Sequence, residues 1–158
     1  MDEQRIPLSE LLPVIREVLA MGGEFSLMPR GKSMRPYLRE GRDSIILSAI
    51  TEPPKRGDIL LYVRDTGFPV LHRVVRVDAD GTLSMRGDNQ YFIERGIRRE
   101  QCVAIMKRFY KKGREKKVDA FPSRLYRAWR TTTYLPRRVF FAVVRRAKRL
   151  WKGETYHG

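Results

Sequence analysis

A single cysteine, two histidines and the absence of any long apolar run are the first constraints on this chain of 158 residues. Cys102 has no partner for an internal disulfide, and one thiol with two histidines makes no recognisable zinc pattern. The chain therefore reads as intracellular, with no metal and no other cofactor. The longest apolar run, Val139 to Val144, falls far short of the roughly 20 residues of a membrane-spanning helix. Asp2 and Glu3 stand where a secretory signal carries positive charge, and Pro13 and Arg16 interrupt the apolar region behind them, so no such signal is expected. Internal repeats and low-complexity tracts are absent as well.

What is abundant is positive charge, and it is unevenly spread. The net charge is +15, yet Met1 to Met106 holds 16 Lys and Arg against 15 Asp and Glu. Lys107 to Lys152 holds 17 basic residues against Glu115 and Asp119 alone. A nearly neutral body thus precedes a basic tail, and the length suits one domain of ordinary size with an appendage.

Within the body, a helix is expected from about Glu10 to Met21, capped by Ser9 and ended by Gly22 and Gly23. Leu11, Leu12, Ile15, Val18 and Leu19 form its apolar stripe, with Pro13 in the tolerant first turn. Short β-like runs follow: Phe25 to Met28, Ser44 to Leu47, Ile59 to Val63, Val70 to Val77, Leu83 to Arg86 and Cys102 to Tyr110. "DADG" (Asp78 to Gly81) reads as a hairpin turn, and "PPKRGD" (Pro53 to Asp58) as a loop into the Ile59 strand. The alternation in the last run suits a strand leaving the core for solvent. The fold class is mainly β, with an N-terminal helix (residues 1–23), a β domain (24–112) and a basic amphipathic helical tail (113–158).

Chemistry is suggested by three separated pieces. "GKSMRP" (Gly31 to Pro36) puts Ser33 in a loop that alone is what any turn supplies. The one histidine of the body, His72, lies in the strand "FPVLHRVVRV", and an imidazole near neutrality is a suitable base for a hydroxyl. If the Leu83 strand pairs with the Val70 strand, "RGDNQ" (Arg86 to Gln90) returns toward the start of the His72 strand. Asp88, otherwise a turn former, could then orient the imidazole.

"GKSMRPYLREGRD", "PKRGDILLY", "VLHRVVRV" and "RGDNQ", in that order, resemble the successive boxes of the signal peptidase I family, which is related to the self-cleaving SOS-type repressors. The resemblance covers roughly Phe25 to Arg108. It implies coiled β-sheets, a serine nucleophile, and a base that is lysine in the bacterial type and histidine in the archaeal and endoplasmic-reticulum type. "HR" makes this chain similar to the histidine type, with Ser33 as nucleophile and His72 as general base. Asp88 matches the "GDN" box, and Glu94 in "IERG" stands near the place where a downstream aspartate can serve. Met34 and Pro36 match residues that fix the nucleophile turn. The Ser33 amide is the expected oxyanion donor, and Gly31 stands where family enzymes commonly carry serine, leaving room for a backbone donor instead.

The implied substrate is a peptide or precursor protein, and the implied activity is that of a serine endopeptidase. A non-catalytic relative that binds a peptide or partner is the class rival. Pro122 and Pro136 each mark a possible helix start in the tail, where Phe140, Val143, Ala147, Leu150 and Trp151 oppose Arg138, Arg145, Arg149 and Lys152. Such a helix suits packing on the body or an anionic membrane surface, which would put the protein in the cytoplasm or at the inner membrane face. Tyr126, Trp129 and Tyr134 interleave with arginines, but no helix-turn-helix precedes the body, so a role as a nucleic-acid-associated regulator has less support.

Overall fold

The β-like runs of the body pair into a single antiparallel sheet. The computed structural model describes residues 6–118, and among them are one α-helix and eight strands. Helix α1 (Leu8–Ala20) precedes β1 (Phe25–Leu27), β2 (Asp43–Ser48), β3 (Ile59–Val63), β4 (Pro69–Val77), β5 (Leu83–Arg86), β6 (Glu94–Ile97), β7 (Cys102–Lys111) and β8 (Arg114–Lys117). The chain divides into two compact units, Met1–Ser123 and Arg124–Gly158. Residues 119–158, which include both expected tail helices, lie outside the described residues.

Helix α1 starts two residues earlier than its sequence suggests. Pro7 is the N-cap residue and no side chain caps the helix. The Pro7 carbonyl accepts from the Glu10 amide at 3.0 Å, which places Ser9 in the first turn and Pro13 inside the helix. Its apolar stripe is turned inward at Ile15 and Leu19. It ends as expected, at Gly22, whose φ of 77° suits a residue without Cβ.

The strand order is β1-β2-β7-β3-β4-β5-β6, with β8 paired to β7. β3 is apolar at every position and buried from Ile59 to Tyr62, as a strand flanked and covered on both sides should be. β7 does not leave the core. It pairs with β2 along one edge and with β3 and β8 along the other, so Lys107 reaches solvent from a strand that stays within the sheet. The composition change at Lys112 falls in the β7–β8 hairpin turn, where Lys112 and Gly113 both have positive φ. The sheet therefore runs past the expected domain boundary to Lys117. β6 and β8 were not expected, because "ERGI" and "REKK" carry no apolar alternation.

The sheet curls. Leu60, Tyr62, Val74, Leu83, Met85, Ile97 and Ile105 pack into one buried cluster drawn from β3 to β7. Polar contacts hold the returning chain to the end of β3. Arg64 is bound bidentately to Glu94 at 2.8 and 2.5 Å, Arg98 reaches Asp65 at 2.8 Å, and the Gln101 side chain donates to the Val63 carbonyl at 3.0 Å.

Arg73, next to His72 on β4, is buried and forms a second tie. It is bound bidentately to Asp88 at 3.0 and 2.9 Å, donates to the Gly57 carbonyl at 3.0 Å, and lies 4.7 Å over the Tyr37 ring. One guanidinium thus joins three loops to the sheet. Removing one partner of a buried pair leaves an uncompensated charge, whereas replacing both does not. Arg73→Met should therefore cost about 3–5 kcal/mol in urea unfolding, with most of that recovered in Arg73→Met/Asp88→Leu. A double variant no more stable than the single one would mean that the pair is not what holds these loops.

Candidate active site

The Ser33 turn is held from below by apolar anchors. Met34, Tyr37 and Leu38 are buried, while Ser33 is half-buried and Pro36 exposed, with the Arg35–Pro36 peptide bond cis. Gly31 has a φ of 82°, in the left-handed region that glycine occupies without strain. Its N–H is directed to the Glu40 carboxylate at 3.2 Å, so this backbone donor is already engaged. The Ser33 N–H, by contrast, donates to no acceptor among the described residues.

The Ser33 carbonyl accepts from the Asn89 amide at 2.6 Å, which fastens the turn to "RGDN". The approach is close enough that a Cβ at Gly87 would stand 2.8 Å from the Ser33 carbonyl oxygen and 2.8 Å from Gln90 Oε1. Only a residue without a side chain fits there. The hairpin expected from "DADG" forms, and Arg86 pairs with Arg73. The chain therefore leaves β5 at Gly87 alongside His72, bringing the loop that carries Ser33 to the His72 strand.

His72 is 1% exposed and projects to the face of the apolar cluster, since it pairs with Leu60. Its Nδ1 lies 3.1 Å from the Tyr62 hydroxyl and 3.4 Å from Glu94 Oε1. Arg73, one residue on, points to the opposite face with Asp88. Of the two expected acids, then, Glu94 is the one that meets the imidazole, while Asp88 is engaged with Arg73. Ser33 and His72 are not joined by a hydrogen bond among the described residues. Arg35 Nε is the fully buried polar side-chain atom left without a partner there.

Burial, aided by the Arg64 charge, pushes His72 down to about 4, against the opposing pull of Glu94 and Asp88. Burial alone would raise Glu94, but hydrogen bonds from Arg64 and Tyr62, with the Arg64 and His72 charges, hold it below the usual carboxylate range. Tyr62 is raised, first by burial and then by Glu94. Burial also pushes the Cys102 thiol up to about 11, far from a reactive thiolate. No cluster of three His, Cys, Asp or Glu side chains suited to a metal occurs among the described residues.

Tyr62 and Arg64 are the site residues that the sequence did not suggest. The available signal was slight: a tyrosine near the end of an apolar strand and an arginine two residues on, just past it. Comparison of the chain with protein-family models, curated proteins and solved structures finds no match.

A histidine driven down to about 4 from 6.5 is neutral in the folded protein at pH values where the unfolded chain binds a proton. Stability must then rise with pH between these values, by about 3 kcal/mol in all from this residue. Urea midpoints at pH 5 and 7 should diverge clearly in wild type and less in His72→Phe. Equal pH dependence in the two proteins would contradict the depressed value.

Proposed function

We propose that the protein is a serine endopeptidase of the signal peptidase I type, acting on a peptide or precursor protein. The observation that carries the reading is the buried histidine whose Nδ1 faces a carboxylate, Glu94, at 3.4 Å, with the "GDN" loop beside it gripping the Ser33 turn at 2.6 Å. The order of the four sequence boxes supports the same reading.

In this mechanism the Ser33 Oγ attacks the scissile carbonyl as Nε2 of His72 takes the hydroxyl proton. The Ser33 N–H donates to the oxyanion. The imidazolium then protonates the leaving amine, and water, activated by the same base, releases the acyl group from Ser33. Glu94 orients the ring, and Asp88 serves with Arg73 to hold the loops. Gly31, Met34 and Pro36 shape the turn without reacting. No helix among the described residues is long and apolar enough to cross a membrane. A peripheral contact between the basic tail and an anionic inner-membrane surface belongs to the proposal as well.

A second reading, a peptide-binding relative without catalysis, draws on the absence of a Ser33–His72 hydrogen bond among the described residues. The two readings separate in one experiment. A serine-directed phosphonate should label wild type and leave Ser33→Ala and His72→Ala unlabelled, and hydrolysis of a responsive peptide should fall at least about 1,000-fold in both variants. The rate should rise with pH through a value near 4, where His72 loses its proton, and be flat by neutrality. Equal labelling of all three proteins would favour the binding role.

A further inference from the structure

Tyr62 is fully buried in the apolar cluster, where an unbonded hydroxyl would be costly. Its oxygen lies 3.1 Å from Nδ1 of His72, and Glu94 Oε1 lies 3.4 Å from the same nitrogen, so hydroxyl, ring and carboxylate meet in one cluster. Glu94 is bound bidentately by Arg64 and, as a carboxylate, has no proton to give. Tyrosine has a single O–H. Donated to Nδ1, that proton would require the nitrogen's lone pair to face the Glu94 carboxylate as well; turned toward Glu94, it leaves the lone pairs of Oη facing Nδ1. A ring nitrogen facing two acceptor oxygens, Oη at 3.1 Å and Glu94 Oε1 at 3.4 Å, has to carry hydrogen itself. The neutral ring has one N–H, so Nε2 keeps its lone pair.

We propose that Tyr62 is a positioning residue that holds His72 in the Nδ1–H tautomer, transmitting the orienting effect of Glu94 to the base. Its place in the fold makes this possible: Tyr62 pairs with Val70, two residues from His72 on β4, and projects to the same face, with ring centroids 6.0 Å apart. The charged groups that act on His72 are Arg64 just beyond β3, Glu94 of β6 and Asp88 of the loop between β5 and β6. The purpose of the arrangement rests on the peptidase reading, but the tautomer is a property of the folded protein without substrate.

Two-bond proton–nitrogen spectra of the labelled full-length protein at pH 7 test this directly, with the His72 signals identified by their loss in His72→Gln. Wild type should show a protonated Nδ1 and an unprotonated Nε2. Tyr62→Phe, which keeps the ring and loses the oxygen, should shift His72 toward a mixture with the Nε2–H form. It should also lower kcat by about tenfold with KM little changed. An Nε2–H ring in wild type overturns the proposal, and needs no variant to fold. So does a tautomer that is unaltered in Tyr62→Phe. A protein that holds Nδ1–H in wild type and loses it in Tyr62→Phe, yet hydrolyses nothing, would overturn the peptidase reading and uphold the role of Tyr62.

Discussion

The buried pair between Arg73 and Asp88 is the constraint on which the rest of the body depends. A guanidinium and a carboxylate removed from water are stable only when their geometry is fixed and their remaining valences are filled. Two parallel hydrogen bonds, a third to the Gly57 carbonyl and the face of Tyr37 meet that demand. Because the partners come from three different loops, satisfying one side chain dictates where the Ser33 turn, the "PPKRGD" loop and the "GDN" loop lie. A change at Arg73 therefore acts on all three at once.

The other face of β4 carries a different solution to the same problem. His72 is accommodated there by losing its charge, while Glu94 keeps its own by binding Arg64. Adjacent residues on one strand thus support a structural ion pair on one side and a neutral base with its orienting network on the other. Strand alternation keeps the two apart, so the strong charge of Arg73 is not directed at the imidazole.

Legibility from sequence followed the strength of local patterning. β3 and β4 were visible because their apolar residues run or alternate over five or more positions, and "DADG" announced its turn through residues suited to positive φ. β6 and β8 were hidden, since their pairing is made by backbone groups and their side chains are mostly charged and exposed. Ser33, His72 and the "GDN" loop stood out as residue types in a telling order. The choice between Asp88 and Glu94 did not, because it depends on how far the sheet curls to bring β6 back to the end of β3. Tyr62 was concealed by a general truth: an aromatic residue in an apolar strand is ordinarily packing, and its hydroxyl acquires meaning only from distant neighbours.

The position of β7 has a consequence for how the protein is made. β2, which follows the Ser33 turn, and β3, which leads to His72, are not paired with each other; β7 lies between them and pairs with both. On a ribosome the serine and the histidine are synthesised well before the strand that joins their two halves of the sheet. Vectorial synthesis therefore leaves the two parts of the sheet without a strand pairing between them until β7 has emerged, with loop contacts alone linking the Ser33 turn to the His72 side. In the proposed peptidase, the turn that carries the nucleophile would rest on a continuous sheet only once nearly the whole body has been made.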